Sequence, residues 1–288
     1  MRLISLCPSN TEFVTYLGLT SSLVAVDDYS DWPKEVEQLP RVGPDLSIDM
    51  DVVEKMKPDL VLASLSVPGM EKNIEQLEDR NIPHIIVSNP KSLTEVAEVL
   101  RNLGNDVGRK EVAEHITDRF HQILKIYRTL SMNVEEKKSI YWEWWPKPVF
   151  TPGQDSWLTE MSELAGGYNV FAQEKKASVQ TDWANVLEKQ PDVIAAIWVG
   201  VRQDHIKPKL IKQRPGWADM RAIVNNQLYI LEEPFFCRPS PRLLIGLIRI
   251  ASLLHPNHYP SLPLDQDPLL NDEMFNMVTN YGAGGDYN

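Results

Sequence analysis

The stretch Val52-Val53-Glu54-Lys55-Met56-Lys57-Pro58-Asp59-Leu60-Val61 returns, slightly altered, as Val186-Leu187-Glu188-Lys189-Gln190-Pro191-Asp192-Val193-Ile194. Each copy reads as the end of an amphipathic helix, a Pro-Asp turn and a buried strand, Leu60–Ala63 in one and Val193–Trp198 in the other. A second echo lies upstream of each copy. Pro8-Ser9-Asn10-Thr11-Glu12-Phe13 follows a strand and opens a helix that stops at Leu17-Gly18. Pro152-Gly153-Gln154-Asp155-Ser156-Trp157 repeats the scheme and stops at Ala165-Gly166. The copies lie 133 to 144 residues apart, so one strand–helix scheme is used twice. A duplicated α/β lobe implies two lobes, with a cleft between them suited to a ligand.

Working outward, apolar strand signals alternate with helical ones through the first third: Leu3–Leu6, Leu23–Val26, Leu60–Ala63 and His84–Val87, each followed by a helix or turn. Such alternation predicts βαβ units and mainly parallel sheets covered on both faces. Between the two copies, Arg109–Ser131 runs without Gly or Pro, and Val112, Ile116, Phe120, Ile123, Leu124 and Tyr127 form one stripe at three- and four-residue steps. That is a rod of about 35 Å. It would either cap the first lobe or join the two as a strut, and its place between the copies favours the strut. The expected organisation is α/β: an N-terminal lobe over 1–105, a connecting helix over 106–134, a C-terminal lobe over 135–256 and a tail over 257–288. Proline-rich, acidic and finally Gly-rich from Gly282 to Gly285, the tail is expected to be loose.

The chain has 288 residues, 43% of them hydrophobic and 24% charged, the composition of a globular protein of two ordinary domains. Its net charge of −11 argues against nucleic acid and against anionic lipid, which both need a dense basic face. No run approaches 18 apolar residues. Met1-Arg2 leads directly into a strand, so the sequence as written is expected in the cytoplasm; removal of a signal peptide would make it periplasmic or lipid-anchored outside the cell. The cysteines are Cys7 and Cys237 only, with no C-x-x-C, no H-E-x-x-H and no ligand spacing among six histidines, so no metal site is expected.

In parallel sheets, ligands sit beyond the carboxyl ends of the strands. Those loops hold Cys7–Asn10, Asp28–Trp32 and Ser64–Pro68 in the first copy, and Trp142–Trp145, Gly153–Asp155, Trp198–Gly200 and Phe235–Arg238 in the second. Five of the eight tryptophans fall there. Each ring covers roughly 150–250 Å² of a flat apolar partner, worth several kcal/mol at about 25 cal/mol per Å². Strand alternation sends Trp142 and Trp144 to one face and Glu143 and Trp145 to the other, so some of these rings belong to the core. No catalytic set emerges. Ser9 and Ser240 precede helices as N-caps rather than nucleophiles, and no G-x-S-x-G, P-loop or G-x-G-x-x-G is present. Asp27, Asp28 and Asp31 read as a solvated acidic turn. Cys7 and Cys237 either face one another or are independent buried thiols.

Four segments together carry a resemblance: Ser5-Leu6-Cys7-Pro8-Ser9-Asn10-Thr11-Glu12, Asp28-Tyr29-Ser30-Asp31-Trp32-Pro33, Lys57-Pro58-Asp59-Leu60-Val61 and Arg238-Pro239-Ser240-Pro241-Arg242. In this order, over about residues 1–255, the chain resembles the helical-backbone (class III) substrate-binding proteins of ABC importers, most closely the vitamin B12-binding members. The resemblance implies two Rossmann-like lobes joined by one long helix, a ligand between them and no catalysis. It implies cobalamin or a related corrinoid as ligand, with haem or an iron siderophore as the alternative within the family. Tyr29 matches a corrinoid-contacting tyrosine, and Phe235 a cleft tryptophan. Asp45 and Ser64 replace two ring-stacking tryptophans, a loss that the Trp142–Trp145 group would offset. The expected contacts are therefore Cys7, Pro8, Asn10, Tyr29, Trp32, Ser64, Trp142, Trp144, Trp145, Phe235, Phe236, Cys237 and Arg238. Glu71 matches an acidic residue that docks onto an ABC permease; its counterpart on the other lobe is replaced by Cys237. A rival expectation is a cytoplasmic corrinoid-handling enzyme using Cys7 or Cys237.

Overall fold

The computed structural model describes residues 1–263 and 265–281. It divides into two units, one formed by 1–90, 94–118 and 239–241, the other by 91–93, 119–238 and the residues from Arg242 onward. In the first unit, β1 (Leu3–Ser5), α1 (Pro8–Tyr16), β2 (Leu23–Val26), α2 (Met50–Lys55), β3 (Leu60–Ser64), α3 (Glu71–Asp79), β4 (His84–Val87) and α4 (Leu93–Asp106) follow in turn. The sheet has order β2-β1-β3-β4 and every pairing is parallel. The 23-residue helix α5 (Lys110–Met132) gives its first turns to this unit and the rest to the second.

The second unit runs β5 (Lys138–Glu143), β6 (Trp145–Pro146), β7 (Val149–Pro152), α6 (Trp157–Leu164), β8 (Gly167–Asn169), β9 (Ser178–Thr181), α7 (Trp183–Lys189), β10 (Val193–Ala196), α8 (Pro208–Lys212), α9 (Arg221–Val224), β11 (Leu228–Ile230), α10 (Leu243–Leu254) and α11 (Asp272–Tyr281). Its main sheet, β11-β10-β5-β8, is again all parallel. Reversed, this order is β8-β5-β10-β11. With β1 set against β5 and β3 against β10 it is the order of the first sheet, so the duplicated segments occupy equivalent places. A small antiparallel sheet, β6-β7-β9, is added at the end of β5.

The repeat is conserved in backbone detail. Lys57 (φ 49°) and Gln190 (φ 43°), each followed by Pro-Asp, both end their helix in the left-handed region. Asp59 Oδ2 then accepts from the Arg2 amide at 2.7 Å, and Asp192 Oδ2 from the Ser139 amide at 2.9 Å. Each carboxylate ties the head of one inner strand to the next. The upstream echoes also agree: α1 and α6 are each followed by a glycine of positive φ, Gly18 (67°) and Gly166 (73°), where a side chain would be strained.

Burial follows the apolar periodicity. On α5, Ile116, Phe120, Ile123, Leu124 and Tyr127 of the expected stripe are buried, whereas Val112 is half-buried and its neighbour Ala113 is buried instead. Gly104 of α4 lets α5 approach, since a Cβ there would lie 2.3 Å from that of Ala113. Two expectations fail. Ser240 caps no helix: α10 begins at Leu243, and the Ser240 hydroxyl donates to Glu12 Oε2. Ser9 is not a cap either, because Cys7 holds that place without a side-chain bond.

The stretch expected to be a loose tail folds, as far as it is described, and the Gly282–Gly285 run lies outside the described residues. Helix α11 is fixed by Arg119 of α5, whose guanidinium lies 4.6 Å over the Phe275 ring, donates to the Leu269 carbonyl at 3.2 Å and pairs with Asp272. Composition read as loose because these anchors come from about 150 residues away. Replacing Arg119 with Ala removes all three and is expected to cost about 1–2 kcal/mol locally. Hydrogen exchange should show protection lost over 269–281 and retained in the sheets; unchanged protection would mean that burial of Leu269 and Val278 suffices.

Candidate functional site

In the first unit the loops leaving β1, β2 and β3 are built on polar side chains. Asn10 is 2% exposed, and its Nδ2 donates to the carbonyls of Leu62 at 3.2 Å and Ala63 at 3.0 Å, locking α1 to β3. It is a bracket and not a free ligand group, contrary to expectation. A buried hydroxyl chain continues from Ser5 through Thr11 to Ser30, which donates to Asp27 Oδ1 at 2.5 Å. Asp27 Oδ2 accepts from the Tyr29 amide at 2.8 Å, and Arg41 Nη1 donates to the carbonyls of Asp27 and Ser30 at 2.8 and 2.7 Å. Asp27 thus organises the acidic turn internally, and among the described residues no group of His, Cys, Asp and Glu is arranged to hold a metal ion.

The pinned turn presents Tyr29, 54% exposed, at its tip. Trp32 is half-buried, its ring 5.6 Å from that of Tyr16. Pro8 is half-buried at the start of α1, and Cys7 and Ser64 are buried. The Ser64 hydroxyl donates to Ser66 Oγ at 3.1 Å. Leu65 and Val67 in the loop after β3 are exposed. Burial raises the carboxyl of nearby Asp45 above its ordinary value, opposed by backbone amides.

In the second unit the aromatic residues divide. Trp142 is fully buried: its Nε1 donates to Ser162 Oγ at 2.8 Å and its ring lies 5.7 Å from that of Phe236, itself fully buried. Both are core residues, which corrects their expected role. The cause is topological, because β5 is an inner strand and its side chains are covered on both faces. Phe235 is 8% exposed under the Arg242 guanidinium at 4.7 Å. The turn carrying it is pressed on α10 at Gly246, where a Cβ would lie 2.1 Å from the Phe235 carbonyl oxygen.

Trp144 and Trp145 lie beyond the strand end. Trp144 is half-buried, 6.1 Å from the ring of Trp157, whose Nε1 donates to the Phe236 carbonyl at 2.7 Å. Trp145 is 41% exposed. Arg238 is half-buried and donates from Nε to Glu233 Oε2 at 3.0 Å. Sequence reasoning missed Trp157 and the role of Glu143, which lies fully buried beneath the hairpin and binds Arg214 through both oxygens. The only signal for a buried Glu143 was the expectation that both faces of the sheet are covered, which puts a carboxylate inside and calls for a cation; Arg214 carried no local signal.

Burial pushes the Cys7 thiol up to about 11, with hydrogen bonds from Ser9, the Asn10 amide and Ser64 opposing it in part. It also pushes half-buried Cys237 well above the ordinary thiol range, reinforced by Glu233. Both are therefore neutral thiols at pH 7. Nucleophilic attack uses the thiolate, so neither cysteine is a preformed nucleophile for the corrinoid-handling enzyme expected as the rival.

Comparison with known proteins follows the same direction. A family model described as periplasmic binding protein matches residues 3–234, more than half of the chain. The chain belongs to that family. An ABC transporter substrate-binding lipoprotein, YvrC, of Bacillus subtilis is 29% identical over 267 residues, covering 90% of this chain and 81% of the relative. A vitamin B12-binding protein of Vibrio cholerae is 30% identical over 254 residues, covering 88% of each. The crystal structure of a periplasmic vitamin B12-binding protein of Vibrio cholerae superposes with a TM-score of 0.71 at 28% identity, over 88% of this chain and 96% of that one. This family member is thus a non-enzymatic solute-binding protein with two α/β lobes joined by a long helix. The expectation of a cytoplasmic protein is not supported: the family is periplasmic by description and a relative is a lipoprotein. No helix among the described residues is long and apolar enough to cross a membrane.

The thiols give a direct test. Iodoacetamide labelling of Cys7 in the folded protein should be slow at pH 8 and accelerate toward pH 11, because the thiolate fraction rises only there. Rapid labelling at pH 7 would show that a thiolate is already present.

Proposed function

We propose that this protein captures a corrinoid, cobalamin or a close relative of it, and delivers it to an ABC permease outside the cytoplasm. The observation that carries the reading is the 30% identity to a vitamin B12-binding protein along 88% of both chains. The loops at the strand ends support it, since each unit presents an exposed aromatic ring there, Tyr29 and Trp145. Flat apolar surface is what a ring of that size covers best, at about 25 cal/mol per Å². The proposed contacts are Tyr29 with Cys7, Pro8, Trp32 and Ser64 in the first unit, and Trp145 with Trp144, Phe235, Cys237 and Arg238 in the second. Neutral thiols fit as small apolar contacts.

For the permease, Glu71 at the start of α3 is exposed, and its Oε2 accepts from the Gly69 amide at 2.7 Å. Its own amide and that of Gly69 lower its pKa, so the carboxylate stays charged at the pH of any cell compartment. A charged side chain on the rim of a loop suits docking to a basic partner.

Titration with cyanocobalamin should quench tryptophan fluorescence and perturb the visible spectrum, with saturation at micromolar concentration or below. Tyr29→Ala and Trp145→Ala should each weaken binding by about tenfold, at little cost to stability, because both rings are exposed. No spectral change at micromolar cyanocobalamin would sink the corrinoid reading. Tighter binding of haemin or a ferric hydroxamate would move the ligand to the family's other classes.

A further inference from the structure

We infer that Glu143 and Arg214 are positioning residues: a buried ion pair that fixes the hairpin carrying Trp144 and Trp145 in its ligand-receiving geometry. The ligand half of this inference rests on the corrinoid reading above; the positioning half stands on geometry alone.

Glu143 is the last residue of β5, between core Trp142 and the hairpin, and is fully buried. Its carboxylate is saturated. Oε1 accepts from Arg214 Nη2 at 2.8 Å and Trp198 Nε1 at 3.0 Å; Oε2 accepts from Arg214 Nη1 at 2.5 Å and Tyr141 Oη at 2.8 Å. The guanidinium lies 4.5 Å over the ring of Trp217 and 4.9 Å over that of Trp183. Trp183 in turn donates from Nε1 to the Pro146 carbonyl at 3.2 Å, on the far side of the hairpin. Trp198 begins the neighbouring loop, whose Val199 amide donates to the Trp144 carbonyl at 3.1 Å. One ion pair therefore reaches the hairpin by two routes, through Trp183 to Pro146 and through Trp198 to the backbone of Trp144.

A pair of well-packed apolar residues would serve stability as well or better, since burying two charges costs much of what their attraction returns. What apolar residues do not supply is direction. The planar fork of Arg214 fixes both carboxylate oxygens, and these fix the indole of Trp198 and the phenol of Tyr141. Lys in place of Arg keeps the charge but loses the fork and the flat stack.

In the full chain, Arg214→Lys should speed hydrogen exchange at the Trp144 and Val199 amides by about tenfold, alter the near-ultraviolet dichroism of the tryptophans, and weaken cyanocobalamin binding by about tenfold. Arg221→Gln, which breaks the ion pair with Asp192 on the other side of this unit, should leave all three unchanged. Trp198→Phe removes only the indole donor and keeps the ring, so it tests the same link more gently if Arg214→Lys folds poorly. It should move exchange and affinity in the same direction. Wild-type exchange and affinity in Trp198→Phe or in folded Arg214→Lys overturn the inference. A loss of stability without faster hairpin exchange also overturns it, because that is the signature of a merely structural pair. If the unaltered protein fails to bind cyanocobalamin, the corrinoid reading falls, and the exchange rates still decide the positioning claim.

Discussion

A parallel strand buried on both faces can present polar chemistry only at its ends, and that constraint arranges both units. The amino ends are closed by the carboxylates of Asp59 and Asp192, each holding the amide of the adjacent inner strand. To bring each Asp there, the residue before the proline, Lys57 or Gln190, adopts a left-handed conformation that costs a side-chain-bearing residue roughly 1–2 kcal/mol. The same strain in both copies shows that the turn geometry matters more to the fold than local preference. With the amino ends sealed, what remains open for recognition is the set of loops at the carboxyl ends.

Those loops differ in kind between the two units. In the first, a chain of hydroxyls and one buried aspartate braces the turn from within, so Tyr29 can project without the backbone depending on it. In the second the bracing is aromatic and ionic, and Trp144 and Trp145 project from a hairpin absent from the first unit. The first unit so presents one exposed ring, and the second an exposed ring backed by half-buried Trp144.

The duplicated strand–turn scheme, the parallel sheets and the long helix were legible because each rests on local periodicity and on turn chemistry that only Pro, Asp and Gly supply. The point at which β5 leaves the sheet was not legible. The pattern predicts a sheet covered on both faces but not which residues at the strand end still lie inside it; Trp142 pairs with Ala195, a long-range contact. Ser9 and Ser240 misled for a related reason, since a hydroxyl before a helix is a cap only when no better partner competes, and for Ser240 the Glu12 carboxylate does. Arg214 was invisible, because what makes it matter is the carboxylate 71 residues away.

The C-terminal segment shows how composition and context separate. Residues beyond 234 lie outside the family match, yet the second unit is incomplete without them. Tyr259 is 1% exposed, stacks on Tyr127 of α5 at 5.4 Å and donates from its hydroxyl to the Leu164 carbonyl at 3.0 Å. His255 Nε2 donates to the Gly166 carbonyl at 3.0 Å; burial lowers the imidazole's pKa, and that bond opposes the shift in part. His258 Nε2 donates to the Leu130 carbonyl at 2.8 Å, near the end of α5. These bonds bind α5 and α6 to a single strap. A helix of 23 residues exposed along one side would fray at its carboxyl end, where its last carbonyls have no partner within the helix. The strap adds a second donor to the Leu130 carbonyl, which also accepts from the Asn133 amide at 3.0 Å, and it covers Tyr127, so the proline-rich stretch secures the carboxyl end of the longest helix among the described residues.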